Sequence, residues 1–467
     1  MRRTFLLILS LSLWLPQIAA AQAAAVTPPA GQQWQDEAIR ILTGLVKIDT
    51  SNPPGNETRA AQYIQDILTR EGIPSEIFNA VPGRGSLVAR LKGNGRKRPL
   101  LLMGHIDVVG VERSKWTVDP FAAVVKDGYL YGRGSHDDKG NVACNLEVFL
   151  QLHRGHVILD RDVIFLAEAG EEGTSEFGMD FMVNKHWDQI DSEFALNEGG
   201  GVIERKGQPS FLGIETTEKI PRSLKLTARG SSGHGSIPRL DNAITHLAAA
   251  VAKVGNWQSP MKLNETTRAF FHAMAGISPG EQAALLNHLE DPAVQEKLRS
   301  VAPLFNSMLR TSIVPTIIAG GFRVNIIPSD AEATLDVRAL PDEDMDALLA
   351  SLKRLIDDPA ITISPVATGP ERPSAPPSSL NTDMYNALRR AGEKIYPGII
   401  ALPTMQTGAT DSAQLRAKGV QAYGIGVGLS EAEVTRIHGN DERLNLNEAG
   451  KFIQFLYAAV IDVAASK

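Results

Sequence analysis

The stretch LLMGHIDVVG, residues 101–110, reads as a strand of apolar residues that carries an imidazole, His105, and a carboxylate, Asp107, two positions apart. Burying either without a partner costs on the order of several kcal/mol. Each therefore calls for a hydrogen-bond partner, a metal or a reaction. Two apart on a strand, they share one face, and open α/β sheets bind ligands at the carboxyl ends of their strands. Four further stretches bring similar residues to similar places. YGRGSHDDKG, 131–140, sets Asp137 and Asp138 in a glycine-rich turn that runs into a helix, and VIFLAEAGEEGTSEFG, 163–178, is an apolar strand ending in Glu171 and Glu172. FALNEGGG, 194–201, is another apolar strand, ending in Glu198, and TRIHGNDERLNL, 435–446, places His438 in a loop before the last helix.

Taken singly, each stretch has an ordinary explanation, such as a satisfied His–Asp pair or a solvated acidic turn. Together they deliver His105, Asp137, Glu172, Glu198 and His438 to one edge of one sheet. Two histidines and three carboxylates suit two divalent ions with one carboxylate bridging. Adjacent carboxylates repel unless a cation or a shared proton stabilises them. At Glu171–Glu172 that suggests a division of labour, one on a metal and one free to take a proton from water. Nucleotide chemistry is excluded: GRGSHD lacks the third glycine of a dinucleotide fingerprint, and no Lys-Ser/Thr follows it. His153, His156, His186, His246, His272 and His288 lie in helical or surface contexts without a role, whereas His136 sits close to the site in sequence.

The elements that must position these residues alternate. Helical patterns at 34–48, 57–71 and 140–153 are interleaved with strand patterns at 74–80, 86–92, 99–109, 162–169 and 193–197. Such alternation implies an α/β architecture with a mixed sheet flanked by helices. Near Ile220 the texture changes. SLKLTARG and EATLDVRAL alternate polar and apolar residues as half-exposed strands do, and each precedes a helical stretch, at 241–255 and in DEDMDALLASLKRLID, which makes a small α+β domain. The Pro/Ser-rich SPVATGPERPSAPPSS, 364–379, ends it. The organisation expected is a catalytic domain in two segments, 26–219 and 372–467, interrupted by an inserted domain, 220–371, with a helix-rich insert at 256–320.

Composition narrows the function classes. The chain has 467 residues, 43% of them hydrophobic, with a net charge of -6. With no extended basic field, nucleic acid is not an expected partner. Arg2 and Arg3 precede an apolar run, Phe5 to Leu15, and small residues follow to Ala25. This is the pattern of a secretory signal over residues 1–25, so the mature chain is expected to be exported, periplasmic or secreted, without stable membrane insertion. Cys144 is the one cysteine, which leaves no intramolecular disulfide and makes the core and any bound metal the sources of stability.

The ordered motifs His-x-Asp, Gly-x-Gly-x-x-Asp-x-Lys-Gly, the Glu-Glu turn, Glu-Gly-Gly and His-Gly-x-x-Glu-Arg resemble the M20 family of metallopeptidases and amidohydrolases. The resemblance runs from SNPPG, 51–55, to HGNDER, 438–443. It implies that Asp137 bridges two divalent ions, zinc or else cobalt or manganese. His105 and Glu198 would complete one ion, and Glu172 and His438 the other. Glu171 would be the general base that activates the bridging water and later protonates the leaving amine, and Asp107 would orient His105. The inserted domain resembles the family's lid, through GSSGHGSIPRLDNA, 230–243. His234 would then stabilise the oxyanion, in dimeric relatives from the partner subunit, so a homodimer stays open. Asn325 and Arg338 match positions lining the substrate pocket, and Gly408 a loop that clamps the substrate backbone. The departures are Ala-Gly before the Glu-Glu pair, where an aspartate is usual, and the insert at 256–320, which resembles the carboxypeptidase S-like branch.

The activity implied is hydrolysis of an amide bond beside a free carboxylate, in a small peptide or an N-acyl amino acid. An esterase on the same metals and a silent binding protein on this fold are the alternatives.

Overall fold

The computed structural model describes residues 30–205, 207–366 and 369–466, so the signal-like N-terminus lies outside the described residues. A ten-stranded mixed sheet forms the larger body. Its centre consists of four parallel strands in the spatial order Val163–Glu168, Leu100–His105, Phe194–Asn197 and Gln421–Gly424. The first three are buried at every position. Continuous apolar runs of this kind suit a parallel sheet covered on both faces. Helices Ala30–Val46, Glu57–Arg70, Lys139–Arg154, Asp383–Ile395 and Leu446–Ala464 supply one layer of the core. Helices Met179–Lys185 and Ser412–Ala417 contribute to the other.

Because the four central strands run the same way, their carboxyl ends open on one edge. One expectation needs correcting there. The strand at 99–109 stops at His105, its last ladder partner being Glu168, so Asp107 lies beyond the strand and not on its face. Val108 then pairs with Ser51 in a separate two-stranded piece. The chain turns out of the sheet at the point where His105 is presented.

A second, five-stranded sheet is built from Ile220–Pro221, Leu224–Arg229, Ser312–Gly320, Asp330–Ala339 and Ile361–Pro365. Leu224–Arg229 and Asp330–Ala339 alternate buried and partly exposed residues, as a sheet with one covered face must. Helices Ala243–Asn256 and Met345–Ile356 supply the cover through Leu247, Val254, Leu348 and Leu352. Within 256–320 the helices end at Met308, and the segment closes with the strand Ser312–Gly320. The helices of this insert share a core with the larger sheet: Phe270, Phe271 and Phe305 pack with Phe211, Leu402 and Met405. No helix among the described residues is long and apolar enough to cross a membrane.

Candidate metal centre

Five side chains meet at the carboxyl edge of the large sheet. His105 comes from a strand end, and Glu198 from the residue after one. Glu172 stands in the turn after Val163–Glu168, Asp137 in the turn before helix Lys139–Arg154, and His438 in the loop before the strand Arg443–Asn445. They form two clusters that share one member: His105, Asp137 and Glu198, and Asp137, Glu172 and His438, with ligand atoms within 4.8 Å of one another in each. The two oxygens of Asp137 are divided between them. Oδ1 lies 3.0 Å from His105 Nε2 and Oδ2 lies 3.0 Å from His438 Nε2. Glu198 Oε2 is 3.7 Å from His105 Nε2, and Glu172 Oε1 is 3.0 Å from His438 Nε2.

The electrostatics of the cluster are those of a site that wants cations. Among the described residues no lysine or arginine forms an ion pair with Asp137, Glu172 or Glu198, and the imidazoles alone face them. Burial works to lower the proton affinity of His105, yet its bonds to Asp107, Asp137 and Glu198 hold it well above the ordinary histidine value. His438 is raised to about 10 by its hydrogen bonds to Asp137 and Glu172. Burial pushes Glu198 up to about 7 and raises Glu172 as well. Asp137 is driven the other way: burial opposes its ionisation, but the two histidines keep it well below the usual carboxylate range. Three closely set carboxylates with two imidazoles, free of lysine and arginine, fit divalent ions of the zinc, cobalt or manganese type.

Asp107 sits behind the cluster, fully buried. Its carboxylate oxygens accept the N–H groups of Glu171 and Glu172, at 3.1 Å each, and the Asn52 amide at 2.9 Å. His105 Nδ1 lies 3.4 Å from Asp107 Oδ1 and 3.0 Å from its carbonyl oxygen. One carboxylate thus ties the His105 ring to the backbone of the Glu171–Glu172 turn. Glu171 is itself partly buried beside the cluster, and desolvation raises its proton affinity well above normal against the opposing field of Arg372. Arg372 Nη2 donates to Glu171 Oε1 at 2.7 Å, and its Nη1 lies 3.4 Å from Asp411 Oδ1. Glu171 and Arg372 line a cavity of about 570 Å³ that runs between the two sheets past Thr174, Arg222 and Leu349.

The other expected site residues stand apart from the five. His234 is exposed on the two-residue strand Gly233–His234, its Nδ1 2.7 Å from Ser236 Oγ. Asn325 precedes the strand that pairs with it. Arg338 donates from Nε to Asp336 Oδ1 at 2.8 Å. Gly408 lies in the turn after Ala401–Gln406, where an added Cβ would meet only the Gln406 side chain, at 3.8 Å. None of the four shares a hydrogen bond or ion pair with the cluster among the described residues. His136 is buried, its Nε2 3.3 Å from the Val427 carbonyl, and belongs to neither cluster. Two residues of consequence carry no role in the sequence reading, Arg372 and Glu442. The first is embedded in the proline-rich linker, where no periodicity draws attention to it; the second stands in the HGNDER motif, four residues after His438.

Residues 101–462 match the model of peptidase family M20/M25/M40. A probable carboxypeptidase S-like protein 2 of Dictyostelium discoideum is 31% identical over 386 residues, which are 80% of this chain and 73% of that protein. The N-fatty-acyl-amino acid synthase/hydrolase PM20D1 of Xenopus tropicalis is 29% identical over 436 residues, 89% of this chain and 84% of the relative. Among solved structures, an M20 family metallo-carboxypeptidase from Sulfolobus solfataricus superimposes with a TM-score of 0.67 at 19% identity, over 91% of this chain and 98% of that one.

Proposed function

The chain belongs to the peptidase family M20/M25/M40 and is a metal-dependent amide hydrolase, and from that premise we propose that it cleaves an amide bond beside a free carboxylate, in a small peptide or an N-acyl amino acid. The observation that carries this reading is the division of Asp137 between two clusters, one oxygen to each, with the partly buried carboxylate of Glu171 alongside. Asp137 would bridge two ions, His105 and Glu198 completing one and Glu172 and His438 the other. We assign zinc as the native ion on the nitrogen and oxygen donor set. When bound, the ions supply Lewis acidity toward the scissile carbonyl and lower the proton affinity of water.

The remaining steps fall to the chain's own groups. Glu171 accepts the proton of the attacking water and passes it to the leaving amine. Arg372 grips Oε1 of that carboxylate, leaving the other oxygen for the proton. Asp107 does not bind metal; it aims His105 and holds the turn that carries Glu171 and Glu172. Arg338 suits the substrate carboxylate through a two-pronged pair, Asn325 and Gly408 the substrate backbone, and His234 the oxyanion. An acyl substituent fits the cavity beside Glu171, in keeping with the N-fatty-acyl-amino acid synthase/hydrolase among the relatives.

The inserted domain, 220–371, would act as the lid and dimerisation element, with the two flanking segments forming the catalytic domain. A secretory signal over residues 1–25 would take the working enzyme out of the cytoplasm, to the periplasm or the medium. The test is free amine release from a panel of dipeptides and N-acyl amino acids by the zinc-loaded protein, with and without chelator. Chelator-sensitive release from a subset supports the reading and names the substrate group. No cleavage of any amide by the metal-loaded protein, with turnover of the matching esters, would reassign the site to ester hydrolysis.

A further inference from the structure

His438 is 53% exposed, and among the described residues its imidazole bonds only to the two acids it faces, so its position depends on its own loop. That loop is docked by one buried carboxylate. Glu442, four residues on, is 1% exposed and stands beneath the turn that carries Asp137. Its Oε2 accepts from Arg133 Nη1 at 2.6 Å and from the Gly134 N–H at 3.0 Å. Its Oε1 accepts the N–H groups of His136 and Asp137, at 2.9 and 3.0 Å. The docking is reciprocal. Arg133 Nη2 donates to the Gly439 carbonyl at 2.8 Å, and the Gly132 N–H donates to the Glu442 carbonyl at 2.9 Å.

We propose that Glu442 is a positioning residue that sets Asp137 and His438 in register, so that the ion they share is met by a pre-assembled pair. The inference rests on the reading of Asp137 and His438 as ligands. Four donors converge on two oxygens, a load that a carboxylate carries and an amide cannot. The side chain gathers the backbone of one ligand's turn, while its own main chain belongs to the other ligand's loop. Groups that orient metal ligands in this way are commonly worth about 10- to 100-fold in metal affinity. The effect should fall mainly on the ion held by Asp137, Glu172 and His438, because His105 and Glu198 are placed by the sheet.

The test uses the full chain as wild type, Glu442→Gln and Glu442→Asp, with zinc titrated against a competing chromophoric chelator and the metal-free forms melted in parallel. The expected result is two ions on the wild type. Glu442→Gln should then bind its second ion at least about tenfold more weakly, the first changing far less, and Glu442→Asp should shift in the same direction. Binding of both ions by Glu442→Gln within about twofold of wild type would overturn the proposal. An equal loss of both ions that tracks a lowered melting temperature would also overturn it, since that is the mark of a general packing role. If Glu442→Gln does not fold, Glu442→Asp, which keeps its charge opposite Arg133, is judged by the same criteria. A wild type that binds fewer than two ions refutes the metal centre itself, and the role of Glu442 with it.

Discussion

Glu171 and Glu172 are neighbours to which the proposed mechanism gives different work, and a single isosteric change tests the difference. Glu171→Gln keeps the shape of the side chain but removes the proton acceptor. Turnover should fall by about 10²- to 10⁴-fold, the usual worth of a placed general base, with the metal content of the purified protein unchanged. Turnover near the wild-type level would remove Glu171 from that role. Arg372→Lys keeps the charge but not the reach from Glu171 to Asp411, which lie 2.7 and 3.4 Å from its two nitrogens. A fall in kcat of roughly tenfold is expected, about one charge-assisted hydrogen bond, and steady-state rates at saturating substrate measure it. At this scale the five clustered residues are legible: His105, Glu172 and Glu198 stand at or just beyond the ends of apolar runs, and Asp137 and His438 stand in short glycine-containing motifs. Arg372 is not. Its partner Glu171 is 201 positions away, and a lone arginine in a linker has no local pattern to betray a long-range ion pair.

Helix Lys139–Arg154 is buried along nearly its whole length, which explains why its charged residues carry unusual costs. Glu147 is fully buried, with one oxygen held by the Gln151 amide at 2.7 Å and the other without a hydrogen-bond partner among the described residues. Burial pushes its carboxyl up to about 7 from an ordinary 4.5. The neutral form is therefore the one the fold favours. The stability it contributes is complete below pH 4.5 or so and is lost as the pH rises through 7, to a limit of about 3 kcal/mol. Glu147→Gln should accordingly melt close to wild type at pH 5 and clearly above it at pH 8; an unchanged difference between the two pH values would contradict the assignment. The helix itself was legible, expected at 140–153 and found at 139–154. The strand ending at His105 reads longer in the sequence than it is, because Ile106, Val108 and Val109 continue the apolar run, and apolar character does not distinguish a ladder from the buried turn that leaves it. Ser312–Gly320 reads as part of a helical insert for a related reason: its ladder partner is Asp330–Ala339, and strand pairing is invisible in a local window.

The whole molecule draws its stability from packing and from its ions. Its single cysteine, Cys144, is buried and carries a thiol that burial raises far above normal, so it neither bridges nor reacts readily. Ions bound only by the folded state add RT ln(1 + [L]/Kd), about 4 kcal/mol at a thousandfold excess over Kd. Chelation should therefore lower the melting temperature, and zinc should restore it. The same scale governs assembly. Ser312–Gly320 lies at the edge of the smaller sheet, paired with Asp330–Ala339 alone, and exposes Val314, Ile317 and Ile318, with Phe322 and Val324 just beyond. An apolar strand edge with free N–H and C=O groups invites another strand. A second copy related by a two-fold axis would answer that need with the same edge and close the assembly. The chain should thus elute as a dimer at micromolar concentration. Replacing Ile317 and Ile318 together by lysine should shift it to the monomer without altering its circular dichroism. A wild type that sediments as a monomer would show that this edge is kept single by other means, and would leave His234 to act within its own subunit.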